Sequence, residues 1–375
     1  MGLIAAGTMV VDGRLCRPGW LETAGGRIAA AAPGPPPRPP DRDYPDCTVV
    51  PGFIDMHVHG GGGASYTDAD GIGKAAAFHL RHGTTTTLAS LVTAAPPELL
   101  SGVRALTDAT RSGTIAGIHL EGPWLSRARC GAHDRTQMRD PDPDEIDALL
   151  TAAGDAIKMV TLAPELPGAD AAIRRFLDAG VVVAVGHTDA TYEQTRRAIE
   201  LGATVGTHLF NAMPPLHHRE PGPALALLRD PRVTVELIAD GVHLHPDVAR
   251  AVIEAAGADR VAVITDAIAA AGRADGAYRL GAVRIDVVSG VARVQGTSTI
   301  AGSTATMDRL FRAVAGFGAN RDAGLAAAVQ VTSATPARAL GLERVGSLRP
   351  GYDANLVVLD RDLRVSDVMV RGDWL

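Results

Sequence analysis

Short runs rich in Val, Ile and Thr recur through the middle of the chain about every 25 to 40 residues, with Ala- and Leu-rich stretches of helical spacing between them. The runs are PGFIDMHVH (51–59), TTTTLASL (84–91), TIAGIHLEG (114–122), IKMVTLAPE (157–165), VVVAVGHT (181–188), TVGTHLFN (204–211), RVTVELIAD (232–240) and VAVITDA (261–267). Most are apolar at successive positions, as parallel strands covered by helices must be. The pattern predicts an α/β chain with a (β/α)8 TIM barrel. An open doubly wound sheet is the rival, but no early strand leads into a GxGxxG turn. The two ends read differently. LIAAGTMVVDG and WLETAGGRIAAAA near the start, and ANLVVLD and LRVSDVMV near the end, are short strands between turn signals. Pro33 to Pro40 reads as an extended, exposed connector. The expectation is a small β-sandwich domain built from both termini (residues 1–50 plus 340–375) beside a barrel of residues 51–339.

The active site of such a barrel lies at the C-terminal ends of its strands, so the polar residues that end each run matter most. Run one ends in His57 and His59, run three in Glu121, run five in His187, run six in His208 and run eight in Asp266. Residues two apart on a strand share a face, so His57 and His59 can both point into the barrel mouth. One histidine at a strand end is ordinarily structural. Four imidazoles and two carboxylates converging on one point instead suit zinc or another first-row divalent metal, with room for two ions bridged by Glu121. His119 shares a face with Glu121 and is expected to support it; His79, His82, His217 and His218 are expected at the surface.

Composition narrows the partners. The 375 residues carry a formal charge of -6, so no basic face is expected for nucleic acid or anionic lipid. A small molecule fits better. Cys16, Cys47 and Cys130 form no CxxC pair, which argues against a disulfide framework or a thiolate site and for a reducing compartment. The first residues lack a basic signal-peptide start, and no uncharged run approaches the roughly 18 residues a membrane span needs. A cytoplasmic protein is expected.

HVHG (57–60), HLEGPWL (119–125), VTLAPE (160–165), VGHT (185–188), THLFNAM (207–213), REPG (219–222), ADGVHL (239–244), ITDA (264–267) and AGSTATM (301–307) together carry a resemblance. In the same order, from about Val49 to Asp360, the chain resembles the N-acetylglucosamine-6-phosphate deacetylases of the amidohydrolase superfamily. HLEGP with THLFNAM is far more specific than HxH alone. The resemblance implies a metal-bearing catalytic barrel with a small β-sandwich and, typically, a homodimer. It gives Glu121, His187 and His208 as principal ligands. Some members hold one metal and lack the first-strand HxH; this chain keeps His57 and His59, so a second metal position is expected. Many amidohydrolases use a carboxylated lysine at the end of strand four, but Lys158 stands at the start of its strand, leaving Glu121 to bridge.

A bound metal lowers the pKa of water from about 16 to about 7, which makes amide hydrolysis feasible at neutral pH. Asp266 is the candidate base, taking a proton from that water and returning it to the departing amine. By the resemblance, His133 contacts the substrate and polarises the acetyl oxygen, while Asn211, Ala212, Arg219 and His243 contact the sugar phosphate, Arg219 or His243 being placed to reach a neighbouring subunit's site. Arg219 offers the fork that phosphate oxygens accept. Cys130 departs from the pattern: it lies in SRARCGAHD between Glu121 and His133, without an evident base, and its inert reading is preferred over a reactive or metal-contacting one. The cofactor expected is zinc, one or two ions per subunit, with iron, manganese, cobalt or cadmium as substitutes. The implied reaction is acetyl removal from N-acetylglucosamine 6-phosphate, in amino-sugar recycling. The alternatives are the galactosamine isomer as substrate, another amidohydrolase reaction such as cyclic-amide hydrolysis or deamination, and a non-catalytic metal-binding barrel.

Overall fold

A computed structural model describes residues 2–375. The eight central runs form β1 (Phe53–Val58), β2 (Thr84–Leu91), β3 (Gly117–Glu121), β4 (Ile157–Leu162), β5 (Val182–Val185), β6 (Val205–Gly206), β7 (Thr234–Leu237) and β8 (Val261–Val263). They lie side by side in chain order, parallel from β2 through β8. Past the end of β8, the N–H of Asp266 donates to the carbonyl of His57 at 2.9 Å and the carbonyl of Ala267 accepts from the N–H of His59 at 2.8 Å, closing the sheet on itself. Every residue of β1 and β3 is buried, as strands covered on both faces require. The barrel expectation holds.

Helices alternate with the strands: α1 (Ile72–Arg81), α2 (Pro96–Arg111), α3 (Pro143–Ala153), α4 (Ala169–Asp178), α5 (Tyr192–Leu201), α6 (Gly222–Arg229) and α7 (Pro246–Ala256). Their sequences explain both starts and faces. In α3, Pro143 sits where its missing N–H costs nothing, and Asp142 caps the N–H of Asp144 at 2.9 Å. Thr191 and Gln194 form a reciprocal capping box on α5. The buried stripe of α4 is Ala169, Ala172, Ile173 and Phe176, at helical spacing. The Phe176 ring packs 5.3 Å from that of Trp124, so truncating it to alanine should cost about 3–5 kcal/mol.

The ends join in another eight-stranded sheet. Gly2–Val11 runs parallel to Arg42–Pro51, which in turn pairs antiparallel with Leu356–Leu359. Ile4, Met9, Leu21, Val49, Leu356 and Met369 lie in its apolar core. A three-stranded antiparallel sheet over Gly276–Leu280, Val283–Val288 and Val291–Val294 follows β8. It was not expected. By contact density the chain divides into two compact units, one of Met1–Asp55, Phe78–Thr86 and Thr306–Leu375, the other of Met56–Ala77 and Thr87–Ala305. The candidate ligands and the cavity they line belong wholly to the second unit. No helix among the described residues is long and apolar enough to cross a membrane.

Candidate metal centre

Glu121 ends β3 with its carboxylate buried, and five imidazoles surround it. The Nε2 atoms of His57, His59, His133, His187 and His208 lie 3.1–3.3 Å from its two oxygens. Asp266 completes the cluster, its Oδ1 lying 3.1 Å from His59 Nε2 and 3.6 Å from His57 Nε2. All six residues named as ligands from the sequence therefore meet at one point. The backbone works to bring them there. His187, His208 and Asp266 adopt φ values of 47°, 27° and 46°, a region L-residues seldom occupy, which turns the chain sharply just after each strand and aims the side chain inward. Close strand approach also needs a glycine before His187: a Cβ on Gly186 would lie 2.5 Å from Thr207 Cβ.

The hydrogen bonds behind the rings separate ligands from donors. His57 Nδ1 faces Glu236 Oε2 at 3.1 Å, His59 Nδ1 faces the Ser90 carbonyl at 3.3 Å, and His187 Nδ1 faces the Arg129 carbonyl at 2.9 Å. These acceptors hold the Nδ1 proton, so that a cation bound in the cluster would meet the Nε2 atom of each ring. His133 is the reverse. Its Nδ1 accepts the backbone N–H of Thr93 at 3.2 Å, so the ring proton sits on Nε2 and is directed at Glu121. His133 is thus built to donate, although its distance alone would group it with Glu121 and His187 as a cation site.

A divalent cation fits this donor set. The Nε2 atoms of His187 and His208 face each other at 3.1 Å and those of His57 and His59 at 3.2 Å, an arrangement in which lone pairs need a shared positive charge between them. Burial would raise the Glu121 and Asp266 carboxyls. The surrounding imidazoles reverse this, holding Glu121 well below its usual range and Asp266 at about 2. Burial likewise opposes charge on His57 and His59, yet the carboxylates prevail, raising His57 well above 6.5 and His59 to about 9. For His133 burial wins, with a pKa of about 4.

His119 does not enter the mouth. Its Nδ1 meets Ser90 Oγ at 2.9 Å and its Nε2 meets Thr161 Oγ1 at 2.8 Å, while its ring lies edge-on to His57 with centroids 4.5 Å apart. Burial keeps it neutral. This agrees with a supporting part. A further bond from Thr161 to Thr207, 2.8 Å, ties β4 to the segment carrying His208.

A cavity of about 400 Å³ opens on the cluster. Asn211, Ala212 and His243 line it beside His59, Glu121, His133, His187, His208 and Asp266, and so do Arg129 and Thr299, which sequence reasoning did not single out. Asp240 Oδ2 holds His243 Nδ1 at 2.9 Å. Two expected residues are placed elsewhere. Arg219 is exposed, its Nη1 2.8 Å from His218 Nε2, and does not line this cavity; Cys130, a half-buried free thiol between the lining residues Arg129 and Gly131, is also absent from the lining. Of the histidines expected at the surface, His217 and His218 are exposed and His82 half-exposed. His79 is fully buried: it shares a helix face with Ile72 and Ala75, at spacings of seven and four residues. Glu236, fully buried in β7, was missed, although a single acidic residue inside the apolar run VTVELIA was its signal.

Residues 48–375 match the model of the amidohydrolase family. The chain belongs to that family. Among amidohydrolases it is similar to an N-acetyl-D-glucosamine-6-phosphate deacetylase variant from Mycobacterium smegmatis solved in complex with N-acetyl-D-glucosamine-6-phosphate: 55% identity, TM-score 0.98, covering 100% of this chain and 98% of that one. It is 35% identical to the N-acetylglucosamine-6-phosphate deacetylase of Lysinibacillus sphaericus, over 86% of this chain and 84% of the relative. It is also 36% identical to the N-acetylgalactosamine-6-phosphate deacetylase of Escherichia coli O157:H7, over 96% of both. Lys158 stands apart from the Glu121 cluster, its Nζ 3.9 Å from Asp155 Oδ2.

Proposed function

We propose that the protein is a zinc-dependent hydrolase that removes the acetyl group of N-acetylglucosamine 6-phosphate, giving glucosamine 6-phosphate and acetate, in the cytoplasm and as a homodimer. The observation that carries the reading is one cavity lined both by the Glu121 cluster with Asp266 and by Asn211, Ala212 and His243. His57, His59 and Asp266 would hold one cation and His187 and His208 another, with Glu121 between them. A bound divalent cation supplies Lewis acidity there and makes a nearby water acidic. Asp266, a carboxylate at neutral pH, takes the proton from the attacking water and passes it to the leaving amine. With substrate bound, His133 would turn its Nε2–H from Glu121 to the acetyl oxygen, where negative charge develops. Asn211, the backbone at Ala212, and His243 backed by Asp240 hold the phosphorylated sugar. Arg219, exposed on its own chain, supplies the guanidinium fork to the site of the second copy. Cys130 has no part in this chemistry.

The galactosamine isomer is the second reading, because a relative of similar identity bears that activity in its name. Acetate release should be measured from N-acetylglucosamine 6-phosphate, the galactosamine analogue and the unphosphorylated sugar, before and after chelation and zinc restoration. Fast, chelator-sensitive turnover of the first alone is expected. Preference for the galactosamine compound would reverse the assignment, and no turnover of any by zinc-loaded protein would overturn it. An Arg219→Ala enzyme should show a raised KM for phosphorylated substrate only, and a monomer by light scattering would remove its placement.

A further inference from the structure

Glu236 has no place in the chemistry above, yet the chain keeps a carboxylate at the centre of the barrel. It is fully buried in β7. Its Oε2 accepts two hydrogen bonds, from His57 Nδ1 at 3.1 Å and from the backbone N–H of His208 at 3.2 Å. Its Oε1 has no hydrogen-bond partner. A buried carboxylate with one bare oxygen is costly, and an uncharged side chain would be easier to house. We infer that Glu236 is a positioning residue for the metal position that His57 enters, orienting that ring directly, while at His208 it steadies only the backbone. This rests on the metal reading proposed above.

The geometry gives it three effects. Holding the Nδ1 proton of His57 leaves the Nε2 lone pair directed at Glu121 and Asp266 and makes it more basic. Receiving the His208 N–H stabilises the φ of 27° that turns that residue inward. The carboxylate adds a third negative charge to those of Glu121 and Asp266, opposite the charge of two divalent cations. The His57 position should depend on it most, because there Glu236 acts on the ligand ring itself, whereas at His208 it touches only the backbone.

The test uses metal-free wild type, Glu236→Gln, His57→Ala and the double variant, each titrated with zinc against a chromophoric chelator, with cobalt absorption spectra for coordination. Wild type should bind two ions. Glu236→Gln should weaken one of them by about 10- to 100-fold and alter its cobalt spectrum, leaving the other nearly unchanged. On the His57→Ala background the same substitution should change zinc affinity little. Equal affinity of Glu236→Gln and wild type for both ions overturns the inference, as does an equal loss with and without His57; a merely structural part would lower the melting temperature of the metal-free proteins without this asymmetry. Failure of the metal reading itself would appear in the wild type, as fewer than two ions or as indifference to His57→Ala, and would overturn both.

Discussion

Replacing His133 by alanine separates a donor from a ligand. The ring is almost wholly buried, its Nδ1 occupied by the Thr93 N–H at 3.2 Å and its Nε2 3.1 Å from Glu121 Oε2. A backbone N–H cannot reverse its polarity, so the neutral ring carries its proton on Nε2 and has no lone pair to give a cation. The lost interaction is then one preorganised donor to an oxygen that gains charge in the transition state, worth about 10²–10³ in kcat, or about 2.7–4 kcal/mol. His133→Ala should therefore keep its full complement of metal, measured by mass spectrometry after dialysis, while kcat for acetate release falls by that factor with KM little changed. The pH profile adds a second check. Burial holds the His133 pKa at about 4, below the usual histidine value, so the ring is neutral above that pH and protonates only below it. The wild-type rate should show no limb from this group between about pH 5 and 9. Loss of a metal equivalent, or a kcat within tenfold of wild type, would refute the assignment.

Asp266→Asn keeps the shape and an oxygen facing His59 but cannot accept a proton, so turnover should fall by about 10²–10⁴ with the fold retained; unchanged acetate release would remove Asp266 as the base. Acid stability tests the helix that follows the barrel, α8 (Met307–Ala315). Asp308 in its first turn bonds His82 Nδ1 (3.2 Å), Thr306 Oγ1 (2.5 Å) and Arg312 Nη1 (2.9 Å). Burial alone would raise its pKa, but these partners lower it from 3.8 to about 2. A depressed carboxylate stabilises the folded state above its unfolded pKa and loses that contribution as pH falls through the folded one. Asp308→Asn should thus cost about 2 kcal/mol at pH 7 in urea denaturation, the deficit shrinking between about pH 4 and 2; a deficit independent of pH would discount the linkage.

The barrel was legible because its physics is local. A strand covered on both faces is apolar at most positions, and that signature located all eight strands and placed six ligand-type residues near their ends. The three-stranded sheet after β8 was not legible. GAYRL, VRIDVV and VARV alternate like an ordinary hairpin run, and nothing in that period says they follow the last strand of a barrel. His79 is buried where a surface position was expected, and Arg219 lies away from the cavity of its own chain. The position of a loop arginine depends on contacts far from it in sequence, so spacing could not place it. His79 could have been placed, since its helical spacing from Ile72 and Ala75 already put it on the buried face.

The least legible part of the site is its backbone. Three of the six candidate ligands occupy positive φ, and a non-glycine residue held there costs of order 1–3 kcal/mol, so local preference argues against each of these conformations. They persist because a different part of the chain holds each one. The Ser126 N–H bonds the His187 carbonyl at 2.9 Å, Glu236 holds the His208 N–H at 3.2 Å, and Asp266 is fixed on both sides, by the His57 carbonyl at 2.9 Å and the Ser303 N–H at 2.7 Å. Gly302 is required beside it, since a Cβ there would come within 2.7 Å of the Asp266 carbonyl. The ligands are therefore aimed by long-range hydrogen bonds that exist only once the barrel has closed. It follows that the metal geometry should be lost together with barrel closure, and that substitutions such as Gly302→Ala should reduce metal affinity without touching a ligand.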